Sequence, residues 1–512
     1  MKNVVVALGA LLMLAAPLRA GADDAAPGAS PGPEATHPAA SPSQDAVTHH
    51  MLTLDGKSLA YSATAGTIAI KNAKGETSAN MFYVAYTEDG VTDIAHRPVT
   101  FLYNGGPGSS TIWLRMGSFG PKRVVVGDAQ NTAGAPFALV DNQYSLLDKT
   151  DLVFVDAVGT GFSRIVKGEP KDFYGVDPDI RAFSQFVQRY ITQNDRWNSP
   201  KFLFGESYGT PRSCGLAYDL ANNGIQLNGV ILLSSVINFE EFFGGDGVDM
   251  EYIAYLPTEA AIAWYHHKVT NRPDDLASFL APVKSFAMGE YADALLKGAM
   301  LGNAERDDVV RRLHEYTGLP EKFIRDDNMR VDPAEFEKQL LHDEGKITGR
   351  LDARFVGIDT SPTGQTPDYD PASTYISGAY TAAFNDYVRN ELKYHTDLDY
   401  KPTNYGEVNT AWEFKHTVDG NQYPIPDLMP DLRDVMSQTP NLKVFSANGY
   451  YDMATPFFGT DFLLAHLGID ASLRKNIWYG YYESGHMVYL HVPALAQFKA
   501  DLVRFYDAAA PQ

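Results

Sequence analysis

One cysteine, Cys214, stands in 512 residues. A disulfide framework is therefore excluded, and stability has to come from an apolar core. Cys214 itself reads as a small buried hydrophobe. Positive charge is scarce too: 42 Lys and Arg against 63 Asp and Glu leave a formal charge of −21. That balance argues against nucleic acid or an anionic membrane as partner, since either would want a basic face. Outside the N-terminus no apolar run reaches the ~18 residues of a membrane span. Neither H-x-x-E nor H-E-x-x-H occurs, and the adjacent pair His266-His267 is a poor chelate in helix or strand. No metal and no cofactor is expected. What the chain does have is apolar content of 45%, enough for a well-packed core in one domain with a large insertion or in several domains.

The N-terminus reads MKNVVVALGALLMLAAPLRAGADD. Lys2 precedes a short apolar segment from Val4 to Ala16, and Ala20-Gly21-Ala22 offers a cleavage site, the pattern of a signal peptide over 1–22. The expected location is exported, periplasmic or extracellular. Residues 23–48 are rich in Ala, Pro, Ser and Gly, lack aromatics, and are expected to form a disordered linker.

From 49 onward the texture is that of a folded body. SLAYSATAGTIAIKN and MFYVAYTEDG read as strands. PVTFLYN (98–104), DLVFVDAVG (151–159), KFLFGES (201–207) and GVILLSSVINF (229–239) read as further strands, and 179–193 has helical apolar spacing. LKVFSANG (442–449) and NIWYGYYESGH (476–486) resume the pattern late in the chain. Apolar strands alternating with amphipathic helices imply an α/β fold with a buried, mostly parallel sheet. The intervening charged, helical stretch predicts an inserted cap over 241–399, with the catalytic body at 49–240 and 400–512.

The five-residue pattern G-x-S-x-G occurs twice. Gly28-Ala29-Ser30-Pro31-Gly32 lies in the linker, with no strand before it, and Pro31 removes a backbone donor. Gly205-Glu206-Ser207-Tyr208-Gly209 follows an apolar strand and precedes a segment able to form a helix, with Pro211 tolerated in its first turn. Strand, sharp turn, helix is the nucleophile elbow, which makes Ser207 a candidate nucleophile. A hydroxyl needs a base. Most histidines follow Ser207, so composition does not choose among them. Position does: His486 and Asp452 each lie just beyond a late strand, in the chain order Ser, Asp, His. Taken alone, each also reads as an ordinary loop residue.

The elbow motif and three others resemble those of the serine carboxypeptidases of the α/β-hydrolase fold. Asn104-Gly105-Gly106-Pro107-Gly108-Ser109-Ser110 resembles that family's NGGPG(C/S)S loop, and Asp156-Ala157-Val158-Gly159-Thr160-Gly161-Phe162-Ser163 its D-x-P-x-G-x-G-F-S stretch. Gly205 to Gly209 resembles GESY(A/G)G, and Gly485-His486-Met487-Val488 with Val492-Pro493 resembles GHMV…VP. The resemblance implies Ser207, Asp452 and His486 as triad. It implies the Gly106 and Tyr208 amides as oxyanion hole, and Asn104 and Glu206 as ligands of the substrate's terminal carboxylate. Several positions depart from the pattern: Ser118 stands where an acid is common, Tyr450 where the first acid of G-D-x-D is usual, Ser109 where a cysteine is usual, and Tyr489 where a proline is expected.

The function so implied is an exported serine carboxypeptidase acting on peptides with a free C-terminus and favoured by acid. An esterase or acyltransferase would use the same triad. A non-catalytic binding protein on the same scaffold is a third reading, against which the intact Ser, Asp and His speak.

Overall fold

The structure, a computed structural model, describes residues 45–239, 247–270 and 272–510. The expected signal peptide, most of the expected linker and the Ser30 copy of the pattern lie outside the described residues. Three antiparallel strands form one edge of the main sheet: Ala46–Leu54, Lys57–Lys71 and Thr77–Glu88. Their first turn is Asp55-Gly56, with φ of 48° and 76°. Two consecutive left-handed residues match the right-handed twist of a tight hairpin. The first strand begins at Ala46, so order starts inside the stretch expected as linker. Asp151–Val155 then pairs antiparallel with Thr77–Glu88.

From there the sheet is parallel throughout. Asp151–Val155 is followed by Val99–Tyr103, Lys201–Ser207, Gly229–Ser235, Lys443–Gly449 and Ile477–Tyr482. Val99–Tyr103, Asp151–Val155 and Gly229–Ser235 are buried at every position, as strands covered on both faces must be. Alternate residues feed two cores. Phe101, Leu203, Val230 and Val444 pack on the face carrying the helix Val176–Gln193 and the helix Gly209–Asn222. Leu102, Phe204, Ile231 and Phe445 pack on the face carrying the C-terminal helix Val492–Ala509. The order of strands and the helices on both faces make this an α/β-hydrolase fold.

A third apolar cluster belongs to the insertion. Helices from Met250–Tyr265 to Pro333–Gln339 bury Leu256, Phe286, Val310 and Phe336 together. That cluster is seated on Tyr451, Met453 and Phe457 of the main body. The expected cap over 241–399 is not one unit, however. Its last helix, Pro371–Asn390, packs Ile376, Tyr380, Phe384 and Tyr387 into the same core as Phe82, Phe204 and Ile231 of the sheet. Helical periodicity marks a buried stripe but not what the stripe is buried against. Among the described residues no helix is long and apolar enough to cross a membrane.

Candidate active site

Ser207 ends the strand Lys201–Ser207, and the helix Gly209–Asn222 begins two residues later. Its φ is +60°, a left-handed conformation that a non-glycine residue adopts only when its surroundings impose it. The surroundings do. A Cβ at Gly205 would collide with the Gly209 carbonyl, so the strand and the helix that follows it approach to backbone contact. Thr210 Oγ1 donates to the Ser207 carbonyl at 2.7 Å and accepts from the Val236 amide at 3.0 Å. The elbow is thereby tied to the neighbouring strand, and Ser207 remains partly exposed.

Asp452 is fully buried just past the strand Lys443–Gly449. Its Oδ1 accepts from the amides of Ala454 and Thr455 at 2.8 and 3.0 Å. Its Oδ2 accepts from Thr455 Oγ1 at 2.6 Å and from His486 Nδ1 at 2.8 Å. The His486 loop is held from two sides: its amide donates to Leu351 O at 2.6 Å, and its carbonyl accepts from Ser234 Oγ at 2.7 Å. Ser234 neighbours Ser235, the register partner of Ser207, so the His486 backbone is tied to the strand end beside the serine. Among the described residues Ser207 Oγ makes no hydrogen bond to the ring. Such contacts often tighten only when substrate is present. Burial disfavours a charged His486, but the charge and hydrogen bond of Asp452, with the charge of Glu206, outweigh it. The net result is a pKa above the ordinary 6.5.

The 104–110 loop closes the third side. A Cβ at Gly105 would strike the Tyr208 amide, and Gly106 has a φ of +107°, open only to glycine. Among the described residues neither the Gly106 nor the Tyr208 amide has a partner, so both donors are free beside Ser207. Behind the loop, Asp156 accepts from the amide and hydroxyl of Thr111 at 2.8 and 2.9 Å. This fixes the helix Ile112–Gly117, whose Leu114 amide donates to Asn104 Oδ1 at 3.1 Å. The Asp156 to Ser163 stretch thus braces the site without entering it.

Asn104 then presents its amide nitrogen to Glu206. Glu206 is 2% exposed. Burial pushes its carboxyl up to about 7, and the neighbouring Asp452 adds to this, against the pull of His486, Tyr489 and Asn104. Tyr489 Oη lies 2.9 and 3.2 Å from its two oxygens. Ser118 takes no part: its Oγ donates to the Leu114 carbonyl at 2.6 Å, at the end of its own helix.

A family model described as serine carboxypeptidase matches residues 57–492. The chain belongs to the serine carboxypeptidase family. A curated relative, serine carboxypeptidase-like 51 of Arabidopsis thaliana, is 31% identical over 169 residues, covering 31% of this chain. The match spans 34% of that relative's length. Among solved structures, a prohormone-processing carboxypeptidase from Saccharomyces cerevisiae is similar, with a TM-score of 0.53 at 15% identity. It covers 87% of this chain and 91% of its own, a likeness of fold.

In this serine carboxypeptidase family member, the structure joins Asp452 to His486 and Asn104 to Glu206, and it seats the loop of Gly106 against the Tyr208 amide beside Ser207. Thr455 was missed; a lone threonine three residues after an aspartate carries no signal until the turn that joins them is known. Tyr489 was visible only as a departure from the family pattern. Cys214 is buried, and burial pushes its thiol well above the usual range. Among the described residues no group of His, Cys, Asp and Glu could hold a metal ion. His266 instead sits with Nε2 2.6 Å from the Ala353 carbonyl.

Proposed function

We propose that the protein is an exported serine carboxypeptidase that releases C-terminal residues from peptides through an acyl-enzyme. Ser207 Oγ attacks the scissile carbonyl while His486 takes its proton. Asp452 orients the ring and stabilises its charged form. The Gly106 and Tyr208 amides receive the developing oxyanion. The departing amino acid then takes a proton from His486, and water repeats the sequence to release the shortened peptide. The observation that carries the reading is Glu206, buried one residue before the serine and facing Asn104. Two carboxylates at contact distance cannot both stay ionised, but one carboxyl and one carboxylate share a proton readily. A protonated Glu206 therefore suits a substrate's free C-terminus and rejects an amidated one. The N-terminal segment supports export to the periplasm or the medium.

A peptide and its C-terminally amidated twin test the assignment by mass. The free acid should shorten residue by residue, the amide should persist, and Ser207→Ala should lose at least about 10⁴-fold in rate. Equal attack on both twins would sink the carboxypeptidase reading in favour of an esterase or acyltransferase. Protein recovered outside the cytoplasm should begin at Asp23, and an N-terminus still at Met1 would contradict export.

A further inference from the structure

We propose that Tyr489 is a third recognition residue for the substrate's terminal carboxylate, donating its phenol hydrogen beside Asn104 and Glu206. The inference rests on the function proposed above. Tyr489 is 2% exposed and lies three residues after His486, in the single turn Val488–Leu490. Its position is therefore coupled to that of the ring. Its hydroxyl reaches both Glu206 oxygens, at 2.9 and 3.2 Å, and also meets the Asn104 side chain. The ring has room only because position 117 is glycine. A Cβ there would lie 2.6 and 2.7 Å from two Tyr489 ring carbons. The side chain next to that glycine, Ser118, is turned to the Leu114 carbonyl and cannot serve the same group.

The chemistry distinguishes a phenol from a second acid. A carboxyl must first take up a proton to donate to an arriving carboxylate. A buried phenol carries its proton throughout the working range. In the free protein that proton satisfies ionised Glu206. When a substrate carboxylate enters, Glu206 becomes protonated and donates, and Tyr489 and the Asn104 amide supply the remaining donors. One proton is taken up rather than two, and its site is Glu206. The titratable groups facing Glu206 are His486, Asp452, Tyr489, Tyr380 and Tyr405.

Tyr489→Phe keeps the ring and removes the donor. For a free-acid peptide, KM on the acid plateau should rise about tenfold or more with kcat nearly unchanged, the loss expected for a hydrogen bond to a charged group. The alkaline fall in affinity should move to higher pH, because ionised Glu206 has lost a donor. An ester lacking a free carboxylate should lose far less than the peptide. An unchanged KM, or equal losses on peptide and ester, would overturn the inference, since a merely structural role moves both substrates together. A peptide and an amide cleaved equally by the unaltered enzyme would instead mark failure of the function itself.

Discussion

In the proposed mechanism Glu206 and His486 place opposite demands on the solution. Carboxylate binding needs Glu206 protonated, and burial pushes its pKa up to about 7. Proton abstraction from Ser207 needs His486 neutral, and its pKa is raised by Asp452 and Glu206 against the effect of burial. Raising pH therefore frees the base and ionises the receptor. The two groups act on each other, so the observed limbs belong to the pair. For free-acid peptides, log(kcat/KM) should trace a narrow bell whose alkaline limb falls near neutrality. For an ester with no free carboxylate it should rise with pH and level off. The same bell on both substrates would dissociate Glu206 from carboxylate binding. Acid preference is thus expected to be mild, as a single receptor carboxyl dictates. At this scale the sequence pointed to Ser207, His486, Asn104 and Glu206 through patterned stretches, and to Asp452 only through its place beyond a late strand. It could not show that Ser118 faces its own helix while Tyr489 faces Glu206. Those directions depend on packing at Gly117 between segments more than 350 residues apart.

Among the elements, strands from 98 onward were legible because parallel strands are continuous apolar runs. The first hairpin was legible only in part. Asp55-Gly56 is a turn signal, but AVTHHMLTL before it is exposed at alternate positions and adjoins a Pro- and Ser-rich tract. The helix Pro371–Asn390 falls within the range expected as cap but packs into the core of the sheet. Phe384 shows why it belongs to the core: it is fully buried, its ring centre lies 4.4 Å from that of Tyr400, and the Arg115 guanidinium lies 4.0 Å above it. Among the described residues Arg115 Nε and Nη1 have no hydrogen-bond partner and Nη2 donates to Tyr400 Oη, so the aromatic face is much of what that buried cation has. Phe384→Ala should therefore cost about 3–5 kcal/mol in urea unfolding, through the lost ring and the exposed demand of the arginine. A cost below about 1 kcal/mol would place this helix with the cap after all.

Across the whole molecule, 63 acids face 42 bases, and the surplus makes the pairing of each buried cation consequential. His416 joins three separate pieces. It lies on the short strand His416–Val418, with Nδ1 2.6 Å from Asp177 at the start of the helix Val176–Gln193. Its Nε2 is 2.8 Å from Asp431 in the helix Met429–Gln438. Burial opposes a charge here, yet the two aspartates prevail and carry the pKa from 6.5 to about 9. A raised folded-state pKa on a base stabilises fully below the unfolded value and ceases to do so as pH rises through the folded one. The contribution is at most about 3 kcal/mol, present at pH 6 and fading between about 6.5 and 9. Buried Glu259, pushed up to about 8 by burial and Asp332, acts in the same direction, because its neutral form is the one the fold prefers. His416→Gln should therefore lower Tm at pH 6 and flatten, without abolishing, the decline in stability from pH 7 to 9. A variant that keeps the full slope would show that the alkaline weakening comes from buried carboxyls such as Glu259 and not from the bridge at His416.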